Sequence, residues 1–211
     1  IYANDSRSEI VNKFICLRQQ SKKAANNPNY SISDYIVDKN QVQVDYVGCF
    51  AVSAGFGADH FSKEYENLDD DYNSIMIKAI ADRFAEAAAE YLHERVRKEF
   101  WGYANNEDLS NDALIDEMYK GIRPAPGYPA CPDHLEKNVI WNLLDVEKNI
   151  GIKLTESLAM FPASSVCGYY FSNPDSRYFG LGKIDNDQLE DYAKRRNISI
   201  DKAKKWLNQI L

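Results

Sequence analysis

The chain has 211 residues, 45% of them hydrophobic, and a formal net charge of −7. That apolar content suffices for one domain with a core of its own, while the acidic balance argues against a nucleic-acid binder, which gathers Lys and Arg to neutralise phosphates. No apolar run reaches the length of a membrane span and the N-terminus lacks a signal-peptide pattern, so no membrane association and a cytoplasmic location are expected.

In chain order, Ser8–Ser21 places Ile10, Phe14 and Leu17 at helical spacing and predicts an amphipathic helix. Ala24–Tyr30, with Asn-Asn-Pro, reads as a loop, and Asp34–Val37 as extended chain. Asp45–Ser53 is rich in β-branched and aromatic residues between turn formers and predicts a strand. Tyr72–Phe100 carries the longest helical pattern, with Met76, Ile80, Phe84, Ala87, Tyr91 and Val96 as its apolar stripe. Beside it runs an acidic row at steps of four, Asp82, Glu86, Glu90 and Glu94, which by itself reads as a solvated face relieved by Arg83, Arg95 and Arg97.

Asp108–Lys120 predicts a short helix with Ser110 as N-cap. A helix opened by Pro132 and Asp133 is expected to run to Asn149, burying Val139, Ile140, Leu143, Leu144 and Val146. Beyond Gly151 the period changes. Strands are expected over Glu156–Met160, Ser165–Phe171 and Arg177–Ile184, the last two joined as a hairpin through Asn173–Ser176. Helices over Asp187–Arg196 and Ser199–Leu211 close the chain, packed against the sheet edge. Helices and antiparallel strands in this order indicate an α+β domain.

The four cysteines, Cys16, Cys49, Cys131 and Cys167, are widely separated and form neither a zinc spacing nor a disulfide framework. The densest chemistry lies in Gly121–His134, which holds Pro124, Pro126, Pro129 and Pro132 with Gly121 and Gly127. Each proline fixes its own φ and biases the residue before it towards an extended shape, and Gly127 is the interior position free to turn through positive φ. Such a loop has little entropy left to lose on binding. It presents Arg123, Tyr128, Cys131 and His134. A plain proline-rich connector, an Arg123–Glu117 salt bridge and a Cys131–His134 metal or thiol site are the competing readings; two ligands alone do not make a zinc site. His93-Glu94 lacks the second histidine of a zincin helix and reads as structural.

The run Arg-Pro-Ala-Pro-Gly-Tyr-Pro-Ala-Cys-Pro-Asp-His closely resembles the signature of the S-adenosylmethionine-binding activation domain of cobalamin-dependent methionine synthases. The resemblance extends over Asp45–Leu211, through Asp-Asp-Tyr-Asn, Tyr-Leu-His-Glu-Arg-Val-Arg-Lys, Trp-Gly-Tyr, Thr-Glu-Ser-Leu-Ala-Met, Tyr-Phe-Ser-Asn-Pro-Asp-Ser and Asp-Tyr-Ala-Lys-Arg-Arg, and more weakly over Tyr2–Asn40. It implies a C-shaped single α+β domain built on a twisted antiparallel sheet with flanking helices. It also implies that residues 1–211 are the C-terminal part of such a domain, whose N-terminal part, with a further acidic ligand residue, has no counterpart here.

By that resemblance the domain presents S-adenosylmethionine to cobalamin for reductive reactivation of the enzyme, with a flavodoxin-type protein as electron donor and the cobalamin-binding domain of the same enzyme as partner. Cobalamin is held mainly by that other domain, zinc only by other domains, and this part alone has no catalytic residues. The resemblance implies that Arg123, Ala125, Tyr128, Glu86, Tyr178 and Phe179 contact the ligand, and that Asp82 and Glu86 face the cobalamin domain. These residue types suit the ligand: a guanidinium holds a carboxylate, and carboxylates or aromatic faces stabilise a sulfonium. The competing function is a docking module for the cobalamin domain or flavodoxin that does not bind S-adenosylmethionine.

Overall fold

The computed structural model describes residues 1–211. Its main elements in chain order are β1 (Gly48–Ser53), α1 (Ala58–Glu66), α2 (Asp71–Arg95), α3 (Asn111–Ile115), α4 (Glu136–Leu144), α5 (Val146–Ile150), β2 (Lys153–Leu154), β3 (Met160–Phe161), β4 (Ser165–Tyr170), α6 (Asn186–Arg196) and α7 (Ile200–Leu207). Strand β1 pairs with β4, and β2 pairs antiparallel with β3, Lys153 opposite Phe161. Small antiparallel sheets flanked by helices make this the α+β class expected from the sequence. The chain folds into two compact units.

One unit comprises Ile1–Gly48, Lys120–Val139 and Tyr169–Leu211. Its core gathers Ile15, Leu17, Leu181, Ile184, Leu189, Tyr192, Ala203 and Leu207. The helix expected over Ser8–Ser21 is absent. Ile15, Leu17 and Gln19 are buried while Arg18 is exposed, an alternation of two rather than 3.6 residues, so this stretch is an extended strap. Extended chain makes no local backbone bonds, and other groups supply them. The Ile15 N–H donates to Glu136 Oε1 at 2.9 Å, and the Arg18 N–H to Gln188 Oε1 at 2.7 Å. The buried Gln19 amide accepts from the Tyr30 N–H and donates to the Gly180 carbonyl.

Ile32–Tyr35 is a 3₁₀ turn, so extended chain begins only at Ile36, later than expected. The Asn173–Ser176 turn forms, with the Ser176 N–H on the Asn173 carbonyl at 3.1 Å. The hairpin beyond it does not. Proline-rich chain offers carbonyls without matching N–H groups, and the Leu181 N–H is drawn to the Pro129 carbonyl at 2.8 Å instead of to β4. Helices α6 and α7 fall where expected, but they close over the strap and Leu181–Ile184, not over a sheet edge. Asn197 in the left-handed region ends α6, and the Ser199 hydroxyl caps α7 by accepting from the Lys202 N–H.

The other unit comprises Cys49–Tyr119 and Ile140–Gly168. Helix α2 matches the expected long helix, extended by a π turn over Val96–Phe100. Its buried face differs from the one expected. Met76, Ile80, Phe84 and Tyr91 are exposed, Phe84 by 65%, whereas Ala81, Ala85, Ala89, His93 and Arg97 are buried at steps of four. Where α1 meets α2 the buried contact is Ser62 with Ser74, whose hydroxyls lie 3.3 Å apart. Small side chains let backbones approach, and that outweighs the larger apolar residues on the opposite face.

Arg97 is fully buried and forks onto Glu107 through Nε and Nη2, with the Tyr119 ring 4.5 Å from its guanidinium carbon. His93 meets the Tyr119 ring edge to face and the Tyr103 hydroxyl at 3.3 Å, a structural role as expected. The short helix α3 is capped by Ser110 and stopped by Glu117 at φ 55°. The helix expected over Asp133–Asn149 is broken into α4 and α5 by Asp145 at φ 47°. In place of a Glu156–Met160 strand, β2 and β3 flank a turn containing Leu158 at φ 61°.

Candidate functional site

The proline loop begins at Gly121, φ 79°, and every second segment of it is tied to neighbouring chain. Ile122 exchanges both backbone hydrogen bonds with Phe171, at 3.0 and 3.1 Å. The Arg123 N–H donates to the Tyr178 hydroxyl at 2.9 Å. The Pro124 carbonyl accepts from the Tyr169 N–H at 2.9 Å, and Pro129 accepts from Leu181. Within the loop the Tyr128 N–H donates to the Ala125 carbonyl, the Gly127 N–H to the Cys131 carbonyl at 2.7 Å, and the Cys131 N–H to the Tyr128 carbonyl. Gly127 stands at φ 96°, the positive value anticipated for it.

Below the loop lies a buried charged cluster that the sequence did not signal. Asp133 and Glu136 share the guanidinium of Arg196, which donates to both from Nη2. The Tyr192 hydroxyl donates to Asp133 at 2.7 Å and the Tyr169 hydroxyl to Glu136 at 3.3 Å. Asp133 also accepts from the Leu135 N–H at 2.8 Å, which fixes the chain entering α4. Burial raises the Glu136 carboxyl and Arg196 pulls it back down, with a net upward shift. The Arg196 guanidinium is held charged against its burial chiefly by Glu136 and then by Asp133. Sixty residues of sequence separate these partners, so no local pattern pointed to them.

Cys131 is buried, and burial followed by the nearby Glu136 pushes its thiol well above the ordinary range. A thiol so placed is a poor nucleophile. His134 is half-buried, its imidazole lowered from the ordinary value first by burial and then by Lys137. Both shifts disfavour a thiolate–imidazolium pair.

Of the ligand residues implied by the resemblance, Arg123, Ala125, Tyr128, Tyr178 and Phe179 fall in one unit. Arg123, Ala125 and Tyr178 are half-buried and Tyr128 is 65% exposed. Phe179 points the other way, onto the core and towards the Tyr30 and Tyr35 rings at 5.9 and 6.5 Å. Asp82 and Glu86 lie on α2, in the other unit. Both are exposed: Asp82 accepts from the Ser164 hydroxyl at 2.6 Å, and Glu86 pairs with Arg83 at 2.8 Å. Within the row, Glu86 and Glu94 are thus paired locally, Glu94 with Lys98, while Asp82 is held from outside the helix.

Residues 1–197 match the family described as vitamin B12 dependent methionine synthase, activation domain. The chain belongs to that family. It is also similar, at 53% identity and a TM-score of 0.97, to the crystal structure of the MetH reactivation domain bound to AdoHcy. That match covers 100% of this chain and 65% of the relative's chain.

Proposed function

We propose that this chain is the C-terminal part of a reactivation domain of cobalamin-dependent methionine synthase, and that its proline loop binds S-adenosylmethionine or its demethylated product. The observation that carries the reading is the loop itself: a guanidinium whose own backbone N–H is pinned to Tyr178, on a turn closed at Gly127, in a chain 53% identical to a domain crystallised with AdoHcy. Rigid display of a carboxylate clamp and carbonyl acceptors spares the ligand the cost of ordering its site.

In this reading Arg123 holds the ligand carboxylate, Ala125 offers backbone groups, and Tyr128 and Tyr178 present aromatic faces. Asp82 with Glu86, in the other unit, meets the cobalamin domain. Phe179, partly buried against the core, stands beside Tyr178 in the ligand's surroundings. The bound sulfonium compound supplies the methyl group for reactivation of cobalamin held by the partner domain, and a flavodoxin-type protein supplies the electron. The residues of this chain bind, orient and exclude water; no nucleophile or general base is required. Zinc belongs to other domains of the whole enzyme.

Calorimetric titration of S-adenosylmethionine into the chain and into Arg123→Ala tests this. Binding lost in the variant supports the clamp, and binding unchanged in it removes Arg123 from the site. A second reading, a docking module without ligand affinity, is favoured by one feature. The unit containing α1 and α2 carries an open apolar groove of about 460 Å³ lined by Phe56, Phe61, Ile77, Ile80 and Phe84, three of which, Phe56, Phe61 and Phe84, are at least half exposed. A well-folded chain that binds neither S-adenosylmethionine nor AdoHcy would favour it.

A further inference from the structure

We infer that His134 is a positioning residue for the Ala125–Cys131 turn, its imidazole forming the floor on which Gly127 rests. The contact is close. A Cβ added to Gly127 would lie 2.3 Å from Cε1 of His134, 2.8 Å from Nδ1 and 2.9 Å from Nε2. Real Cβ atoms do not approach so near: the φ of 96° favours glycine here, and any larger residue would have to displace the His134 ring.

The backbone that carries the ring is held in place. Its neighbour Asp133 is locked by Tyr192 and Arg196, and the His134 carbonyl accepts from the Lys137 N–H at 3.1 Å. The base thus reaches the Gly127 turn through the His134 ring, and Cys131 separately through Tyr169. Nδ1 of His134 is buried and has no hydrogen-bond partner. A buried imidazole nitrogen without a partner is kept at a cost, which an aliphatic side chain of similar size would not incur. The planar ring is what the turn uses: it is broad enough to lie under Gly127 and thin enough to admit the backbone.

The consequence for binding rests on the S-adenosylmethionine reading. Gly127 lies between Arg123 on one side and Tyr128 with the Cys131 closure on the other. If the floor is removed, the Gly127–Cys131 and Tyr128–Ala125 bonds have nothing to press against, and the clamp residues lose their fixed spacing.

Amide hydrogen exchange of the whole chain, with and without AdoHcy, tests the two parts separately. In His134→Ala the amides of Gly127, Tyr128 and Cys131 are expected to exchange about tenfold faster, while those of Ile122 and Phe171 stay within about twofold. His134→Phe, which keeps a flat ring, should retain most of the protection. AdoHcy affinity should fall about tenfold in His134→Ala, and Gly127→Ala combined with His134→Ala should cost less than the product of the two single losses.

Unchanged exchange in His134→Ala, or acceleration spread equally over all five amides, overturns the inference. So does lost affinity with unchanged exchange, because His134 would then touch the ligand itself. Local acceleration in a chain that binds no AdoHcy supports the positioning role and defeats the ligand reading alone.

Discussion

Replacing Arg196 with methionine would leave Asp133 and Glu136, whose side chains are only 3% and 2% exposed, without their shared cation. What remains is neutral donation: Tyr192 and the Leu135 N–H to Asp133, the Ile15 N–H and Tyr169 to Glu136. Two carboxylates would then sit buried with no opposite charge. Removing one member of a buried ion pair costs about 3–5 kcal/mol, which in a chain of this size lowers the melting temperature by on the order of 10 °C. The loss should depend on pH in a stated direction. Burial already raises the Glu136 carboxyl above its unfolded value of 4.5, and losing Arg196 removes the chief influence opposing that rise. A carboxyl raised in the folded state binds more protons there than when unfolded, so the cost of the substitution accrues as pH rises from the parent's folded value, itself above 4.5, towards the variant's still higher one, and is smallest below both. Urea unfolding of Arg196→Met and the parent chain at pH 5 and pH 8 measures this. A cost below about 1 kcal/mol at pH 8, the level of an exposed pair, or an equal cost at both pH values, would refute the argument.

Two further predictions follow from packing and thiol chemistry. Leu207→Ala, at a site only 1% exposed in the strap-side core, should cost about 2–5 kcal/mol, and Ser199→Ala, which removes the α7 cap, only about 1 kcal/mol; chemical denaturation that ranks them in reverse would contradict the core assignment. Because Cys131 is buried and burial pushes its thiol well above the ordinary range, it should not react with iodoacetamide at pH 7.5 unless the chain unfolds, as mass spectrometry of the alkylated protein would show.

The parts of the fold legible in the sequence were those set by local chemistry. Ser110 before Leu114 and the turn formers of Asn173–Ser176 each specify their geometry within a few residues, and each is found. Gly127 was legible for the same reason. What misled was apolar spacing whose partner lies far away. Ile10, Phe14 and Leu17 suit a helix, yet Glu136 and Gln188, more than a hundred residues on, supply bonds that hold an extended strap. On α2 the large residues mark the outer face, because the inner contact needed alanine and serine. At the site, the loop and its charged tip were readable, whereas the Asp133–Arg196–Glu136 base and the His134 floor depend on pairings no local window contains.

The central claim, that the Arg123–Tyr128 turn is the ligand contact, is tested most directly by titrating AdoHcy into isotopically labelled chain and following backbone amide resonances. The account predicts saturable shifts at Arg123, Ala125, Gly127 and Tyr128 with smaller ones at Tyr178, and little change along α6 and α7. Shifts confined to the Phe56–Phe84 groove, or none at saturating ligand in a folded sample, would contradict it.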